Sequence, residues 1–273
     1  MNDEYLASGF AEVDARDDAG AYTRCLSLLD SLPYFRRYKE QSYELLELSP
    51  GLTVLEVGCG LGDDVFRMAE RVAPGGKVVG VDASECMIEE ARTRTPFHLP
   101  AEFLRADARR LPFGEACFDR CRTDRTLQHI ERPEEAIREM AGVLKPGGLL
   151  LAYDNDWGTF SVSGSDDETT RIMENLWGDS FKNRWIGRYL KRYFLNAGLS
   201  EVSVYPSVSV VTDFDLADQV YNLSLTARRA AETGRIGPAA ADRWLSEVRE
   251  RNRTGGFLCT VTAFTVTGKK RGC

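Results

Sequence analysis

Between residues 50 and 157 the chain alternates short segments of strand composition with longer stretches whose apolar positions recur every three or four residues. The strand-like segments fall near 53–57, 77–82, 101–105, 118–123 and 148–153, and the helical stretches near 63–72, 84–94 and 133–143. Strands that alternate with helices in this way pair in parallel and wind right-handedly. Punctuation agrees with the periods. Ser84 stands where a helix wants an oxygen cap, and Pro133 stands at a first-turn position where its missing N–H costs nothing. Ahead of the sheet, residues 20–48 carry apolar positions at helical spacing, broken at Pro33 and stopped by Pro50-Gly51. Beyond residue 157 the alternation lapses into Gly/Ser/Asp punctuation and a helical stretch through Met173, Leu176 and Trp177. It resumes with a helix ending at Gly198, a strand near 199–205 and a last strand near 257–267, with about 50 residues of helical composition between those two strands.

The first strand, turn and helix are Thr53-Val-Leu-Glu-Val-Gly-Cys-Gly-Leu-Gly-Asp-Asp64, and the second strand ends in a carboxylate at Asp82. A dinucleotide fingerprint spaces its glycines G-x-G-x-x-G so that a pyrophosphate reaches the helix N-terminus. Here the glycines are Gly58, Gly60 and Gly62, and Asp63 takes the place where the third dinucleotide glycine belongs. Asp63 and Asp64 would compete with a phosphate for the exposed N–H groups, and Glu56 adds a further negative charge beside the turn. A nucleoside without phosphate and with fixed positive charge, a sulfonium plus an ammonium, suits such a mouth; S-adenosylmethionine is that ligand. Asp82 is placed to accept both ribose hydroxyls, and Glu56 to hold the methionine ammonium directly or through the turn. Gly58, Cys59 and Gly60 are expected to make backbone contacts, with Ala83 and Met87 flanking the adenine.

The E-x-G-x-G-x-G turn with an acidic end to the next strand resembles the first two motifs of class I S-adenosylmethionine-dependent methyltransferases, of the small-molecule type. Further segments match in register. Arg105-Ala-Asp107-Ala resembles the loop that reads the adenine, which implies that Asp107 accepts the exocyclic amine and Ala108 donates through its N–H. Leu111-Pro-Phe113 with Phe118-Asp119 resembles the entry to the fourth strand, and the run from Val143 to Ala152 resembles the fifth. The resemblance implies an α/β, Rossmann-like seven-stranded sheet with helices on both faces, N-terminal helices and a helical cap inserted before the last strand. In residue terms, 1–50 is an N-terminal helical segment, 51–157 with 186–210 and 255–270 the S-adenosylmethionine-binding core, and 158–185 with 211–254 the cap and acceptor-binding insertions.

Composition narrows the partners. Among 273 residues, 35 Lys and Arg stand against 42 Asp and Glu, and no basic run is longer than Lys269-Lys-Arg271. The electrostatic footprint of a nucleic-acid enzyme is missing, so a small-molecule substrate is favoured over nucleic acid. Seven cysteines without a C-x-x-C spacing read as reduced thiols and offer no metal site, so no metal is expected. The start of the chain lacks a basic-then-apolar leader, and no apolar run reaches membrane-span length, so the expected location is cytoplasmic. A homodimer stays open.

The acceptor side starts at the end of the fourth strand, in Arg122-Thr-Asp-Arg-Thr-Leu-Gln-His-Ile-Glu-Arg-Pro133. Arg122 is counted with the cofactor contacts, and Arg125 and Gln128 face either the cofactor carboxylate or the substrate. Leu-Gln-His-Ile resembles the segment whose histidine serves small-molecule methyltransferases as general base, which assigns that role to His129; an imidazole near its ordinary pKa suits it. The competing reading is a histidine packed under the following helix. His98, between prolines in a surface loop, reads as structural. Asp154, in Asp154-Asn-Asp156-Trp157, is the second catalytic candidate, to orient His129 or a substrate amine, or else to hold a loop. Tyr22, Phe160, Trp177, Trp185 and Tyr221 are candidates to line an apolar acceptor cavity. The reaction expected is methyl transfer to oxygen or nitrogen of a small, secondary-metabolite-like acceptor. The runner-up keeps the fold but catalyses a non-methylating cyclisation or serves as a binding scaffold.

Overall fold

The computed structural model describes residues 9–10, 14 and 19–272. Residues 1–8, on which the expectation about a leader rests, and Cys273 lie outside them. Seven strands form one sheet: β1 (Thr53–Val57), β2 (Lys77–Asp82), β3 (Ala101–Arg105), β4 (Phe118–Asp124), β5 (Leu144–Val162), β6 (Ser200–Val211) and β7 (Cys259–Lys269), in the order β3-β2-β1-β4-β5-β7-β6. Only β7 runs antiparallel to its neighbours. The chain turns back on itself between β1 and β4, and in open α/β sheets that switch point is where ligands sit.

The helices are α1 (Ala19–Ser31), α2 (Pro33–Leu45), α3 (Asp63–Val72), α4 (Glu85–Arg94), α5 (Pro133–Val143), α6 (Asp167–Asp179), α7 (Ile186–Asn196), α8 (Phe214–Tyr221), α9 (Leu223–Glu232) and α10 (Pro238–Arg253). Their ends follow the local chemistry. The Ser84 hydroxyl accepts the Met87 N–H at 3.2 Å at the start of α4, Asp166 and Asp213 cap α6 and α8 with carboxylates, and prolines open α2, α5 and α10. One face of the sheet is covered by α5 and α7 through Ile137, Met140, Leu190 and Phe194. The other is covered by α2, α3 and α4 through Tyr43, Leu46, Met68 and Ile88. Each such fully buried side chain contributes about 1.5–3 kcal/mol by leaving water. A separate core of Trp157, Met173, Trp177, Phe181, Tyr221, Trp244 and Val248 joins α6 and α8–α10 to the far end of β5.

Two expected boundaries are corrected. β5 does not stop near residue 153 but continues through Asp154–Trp157 to Val162, so residues 158–162 belong to the sheet. β7 supplies the reason. Its antiparallel register carries hydrogen-bond partners from Lys269 opposite Leu149 to Cys259 opposite Val162, and Gly158 is absorbed in an irregularity between Asp156 and Ser161. For the same reason β6 runs on to Val211 rather than ending near 205.

Candidate active site

At the switch point lies a cavity of about 310 Å³, lined on one side by Val57, Gly58, Gly60, Val81, Asp82, Ala83 and Met87 and closed by Asp107, Ala108, Thr126 and His129. The turn that shapes it has a fixed form. Gly58, Gly60 and Gly62 all have positive φ, and a β-carbon at Gly58 would run into the Thr126 side chain. Four of the turn's N–H groups are already used: Gly58 and Cys59 donate to the Val81 carbonyl at 2.8 and 3.0 Å, Gly60 to Asp82 Oδ2 at 2.9 Å, and Gly62 to the Cys59 carbonyl at 3.0 Å. A pyrophosphate would have to displace these bonds. The Asp82 carboxylate is held by Gly60 and by the Ser84 N–H at 3.0 Å, and burial raises its pKa. Asp107 accepts from the Arg109 backbone N–H and guanidinium, which hold its pKa down.

Not every expected contact lines this cavity. Glu56, Cys59, Arg122 and Asp154 do not. Glu56 and Arg122 sit side by side in register on β1 and β4 and pair at 2.5 Å beneath the site. Arg122, fully buried, also donates to Ser42 Oγ at 2.9 Å and Asp124 Oδ2 at 2.9 Å, and Asp64 stands 3.5 Å away. Burial raises the Glu56 pKa, while Arg122 and Lys39 work against that rise. Asp64 turns away from the turn to Lys39 (2.8 Å) and the Tyr43 hydroxyl, and Asp63 to Arg94 (2.6 Å). The expected negative rim formed by Glu56, Asp63 and Asp64 is therefore spent on internal cations, and the carboxylates that reach the cavity are Asp82, Asp107, Asp124 and Glu131.

A second cavity, about 70 Å³, shares Phe10, Leu29, Arg125, Gln128 and His129 with the first and is walled by Tyr34, Phe35, Trp157, Trp177, Phe181 and Tyr221. Of the aromatic candidates, Trp177 and Tyr221 line it. Phe160 packs behind it, Tyr22 joins Leu61 and Met87, and Trp185 is largely exposed. Trp157 and Phe181, stacked with ring centroids 4.4 Å apart, were not legible as a wall; Trp157 stood in a singled-out motif, but nothing local pairs it with Phe181.

Between the two cavities a chain of hydrogen bonds fixes His129. The Trp157 indole N–H, which can only donate, gives its proton to Gln128 Oε1 at 2.8 Å. The Gln128 amide nitrogen then donates to the Arg125 carbonyl at 3.1 Å and to His129 Nε2 at 3.1 Å. Nε2 thus accepts, and the neutral imidazole carries its proton on Nδ1. Burial, with Arg125 and Lys182 nearby, pulls the His129 pKa down to about 3. The expected general base accordingly has its lone pair occupied and presents a donor. Asp154 does not touch the imidazole; its Oδ2 accepts the Gln128 backbone N–H at 3.3 Å, and burial keeps its pKa well above the usual range. His98 lies in a loop beside the fully exposed Phe97, as its prolines suggested.

A family model described as a methyltransferase domain matches residues 54–148. The chain is 36% identical over 271 residues, 97% of its length and 77% of the relative's, to an uncharacterized 37.1 kDa protein in transposon TN4556 of Streptomyces fradiae. It is 36% identical over 144 residues to methyltransferase GfsG of Streptomyces halstedii, covering 51% of this chain and 49% of that one. It is 27% identical over 153 residues to a demethylmenaquinone methyltransferase of Desulfitobacterium hafniense, covering 55% and 58%. The match thus spans about half the length of these last two. Among solved structures, the YcgJ protein of Bacillus subtilis superposes with a TM-score of 0.60 at 19% identity, over 87% of this chain and all of that one. The chain belongs to the class I S-adenosylmethionine-dependent methyltransferases. A phosphoethanolamine N-methyltransferase 2 of Haemonchus contortus, solved in complex with S-adenosyl-L-methionine, shares the fold with a TM-score of 0.59 at 15% identity, over 98% of this chain and 60% of that one.

No helix among the described residues is long and apolar enough to cross a membrane, and the described cysteines are free thiols.

Proposed function

We propose that this enzyme methylates an oxygen or nitrogen atom of a small, aromatic, secondary-metabolite-like acceptor held in the second cavity. The observation that carries the reading is the continuity of that aromatic-walled cavity with the Gly58–Asp82 cavity through Arg125, Gln128 and His129. Flat rings gain most from such walls, by area and by ring-on-ring geometry. A relative named for its action on demethylmenaquinone, a ring-bearing small molecule, supports the same class of acceptor.

The residues of the first cavity fit S-adenosylmethionine: a carboxylate on the ribose side, small side chains where the backbone must come close, and Gly58, Cys59 and Gly60 N–H groups already engaged by Val81 and Asp82. When bound, the cofactor supplies a methyl group on a positively charged sulfur. Asp82 holds the ribose, Gly58 and Gly60 give the backbone its approach, Ala83 and Met87 flank the adenine, and Asp107 with Ala108 reads its edge. Glu56, Cys59 and Arg122 brace this arrangement from beneath, and Asp154 sets Gln128. The remaining task is positioning and exclusion of water, which in-line displacement needs more than acid–base chemistry.

Incubation with tritium-labelled S-adenosylmethionine and fractionated cell extract tests the reading. Label is expected in the organic-soluble small-molecule fraction. Label in RNA or protein, or tight cofactor binding with no transfer to any fraction, would overturn it, the second outcome pointing to a cyclase or a scaffold.

A further inference from the structure

Arg125 follows the last residue of β4 in a left-handed conformation, with φ of 52°, held there by its N–H to the Tyr153 carbonyl at 2.8 Å. A non-glycine residue at positive φ beside a cavity is strained, and such strain persists where surroundings fix it. The turn aims a guanidinium between the two cavities. It lies over the Phe35 ring, 4.8 Å from its centroid, with Nε 3.4 Å from Asp124 Oδ1. Among the described residues none of its five donors makes a hydrogen bond, and Nε is buried without a partner. Arg122, its near neighbour in sequence, has partners on Nε and both terminal nitrogens. Buried polar groups are almost always satisfied, so an arginine left open at a cavity wall lacks a ligand.

The charge around it sets the sign of that ligand. From α1, α2, β5 and α8 the groups facing Arg125 are Cys25, Tyr34, Tyr38, Tyr153, Asp154 and Tyr221. Burial raises the pKa of every one, holding each toward its neutral form. The carboxylate beside it, Asp124, is shared with Arg122 Nη2 at 2.9 Å and the Tyr38 hydroxyl at 3.1 Å. His129, across the same wall, offers a proton on Nδ1 rather than a lone pair. Among the described residues no carboxylate lines the aromatic cavity.

Building on the methyltransferase reading above, we propose that Arg125 and the His129 Nδ1–H hold the acceptor as an oxyanion, so that the site takes a phenol- or enol-type oxygen in preference to an amine. A cation within reach of a phenol favours the ionised form. The proton departs to solvent as the acceptor binds, and the oxygen meets the cofactor already carrying its nucleophilic electron pair. A general base is not needed, which accords with a histidine whose lone pair is engaged. An ammonium, by contrast, would face a guanidinium whose adjacent carboxylate, Asp124, is already shared with Arg122 and Tyr38.

The test uses 4-nitrophenol, whose ionisation is visible, and 4-nitroaniline, a neutral molecule of similar shape, with the protein saturated by adenosylhomocysteine. Across a pH series the bound phenol should ionise at least one pH unit below its value in water, meaning that the anion binds about tenfold or more tighter than the neutral form. The aniline should bind no better than the neutral phenol. Arg125→Leu should abolish the preference and Arg125→Lys retain part of it, both with adenosylhomocysteine affinity within about twofold of the parent by calorimetry. An unshifted ionisation, equal binding of the two probes, or no anion binding at millimolar concentration overturns the proposal. So does an Arg125→Leu protein that loses adenosylhomocysteine instead, since the guanidinium then serves the cofactor carboxylate. The adenosylhomocysteine titration of the parent separates the two levels of inference. Failure there removes the methyltransferase reading, whereas success with no anion preference removes this one alone.

Discussion

The two cavities are built in opposite ways. Around the first, polar groups are satisfied by their own neighbourhood: Asp82 by Gly60 and Ser84, the turn N–H groups by the Val81 carbonyl. Around the second, the same task falls to partners far along the chain. Trp157 donates to Gln128, 29 residues away, and Tyr34 reaches Ser207 across 173. A site satisfied this way is fixed as soon as β1, the glycine turn, α3 and β2 fold together, and it accepts one ligand. A site assembled from distant elements can be refitted by changing any of them, which suits the half of an enzyme that must recognise its particular acceptor.

Beneath the switch point lies Arg122, which touches Glu56 on β1 and Asp124 at the end of β4, so its loss is the most severe way to break the comparison. Arg122→Met should destabilise the fold by about 3–5 kcal/mol, because it strands buried carboxylates without a cation. Urea unfolding checks this. Adding Glu56→Gln should recover part of the loss, and a single variant of parental stability would mean that the pair is not buried as described.

Asp82→Ala sharpens the contrast from the cofactor side. A charge-assisted hydrogen bond to ribose contributes about 1.5–3 kcal/mol, so adenosylhomocysteine affinity should fall by about ten- to a hundredfold in calorimetry, while 4-nitrophenol binding is spared. Unchanged cofactor affinity would refute the ribose assignment.

The sequence disclosed the two halves unequally, for the same physical reason. Glycine spacing, the Asp82 strand end and the Ser84 cap are local signals; Gly58, Gly60 and Asp82 meet at the cavity, and the Ser84 N–H holds the Asp82 carboxylate. Glu56 and Arg122 misled because each lies inside its strand rather than past its end. Side chains within a strand project from the faces of the sheet, and the register that puts these two opposite each other needs the adjacency of β1 and β4, which no local motif states. Cys59 likewise packs into the core under α3 rather than toward the ligand. The roles expected of His129 and Asp154 turn on Gln128 and Trp157, whose bond crosses from the 3₁₀ turn at Leu127–His129 to β5. The length of β5 escaped because the Gly/Ser/Asp punctuation of residues 161–167 marks a break, and the pairing with β7 that carries the strand to Val162 is not local.

The smallest expected effect probes that same bond. Trp157→Phe keeps the ring and removes the indole N–H, at about 1 kcal/mol for one buried hydrogen bond. Gln128 is then free to turn its carbonyl toward His129, and the imidazole can take a proton more easily. The sign of the pH dependence follows. In the parent the folded pKa of His129 is pulled to about 3, below its ordinary 6.5, so the folded state binds fewer protons than the unfolded between those values. Its stability is fully present above the ordinary pKa and is lost as pH falls toward the depressed one. In the variant the folded pKa lies closer to the unfolded one, so less is lost on acidification. The stability gap between parent and Trp157→Phe should therefore be widest near neutrality and narrow as pH falls toward about 4, read as chemical-unfolding midpoints at each pH. A gap that stays constant across that range would show that the indole does not govern the histidine, and the view of a donor-only acceptor wall would lose its second donor.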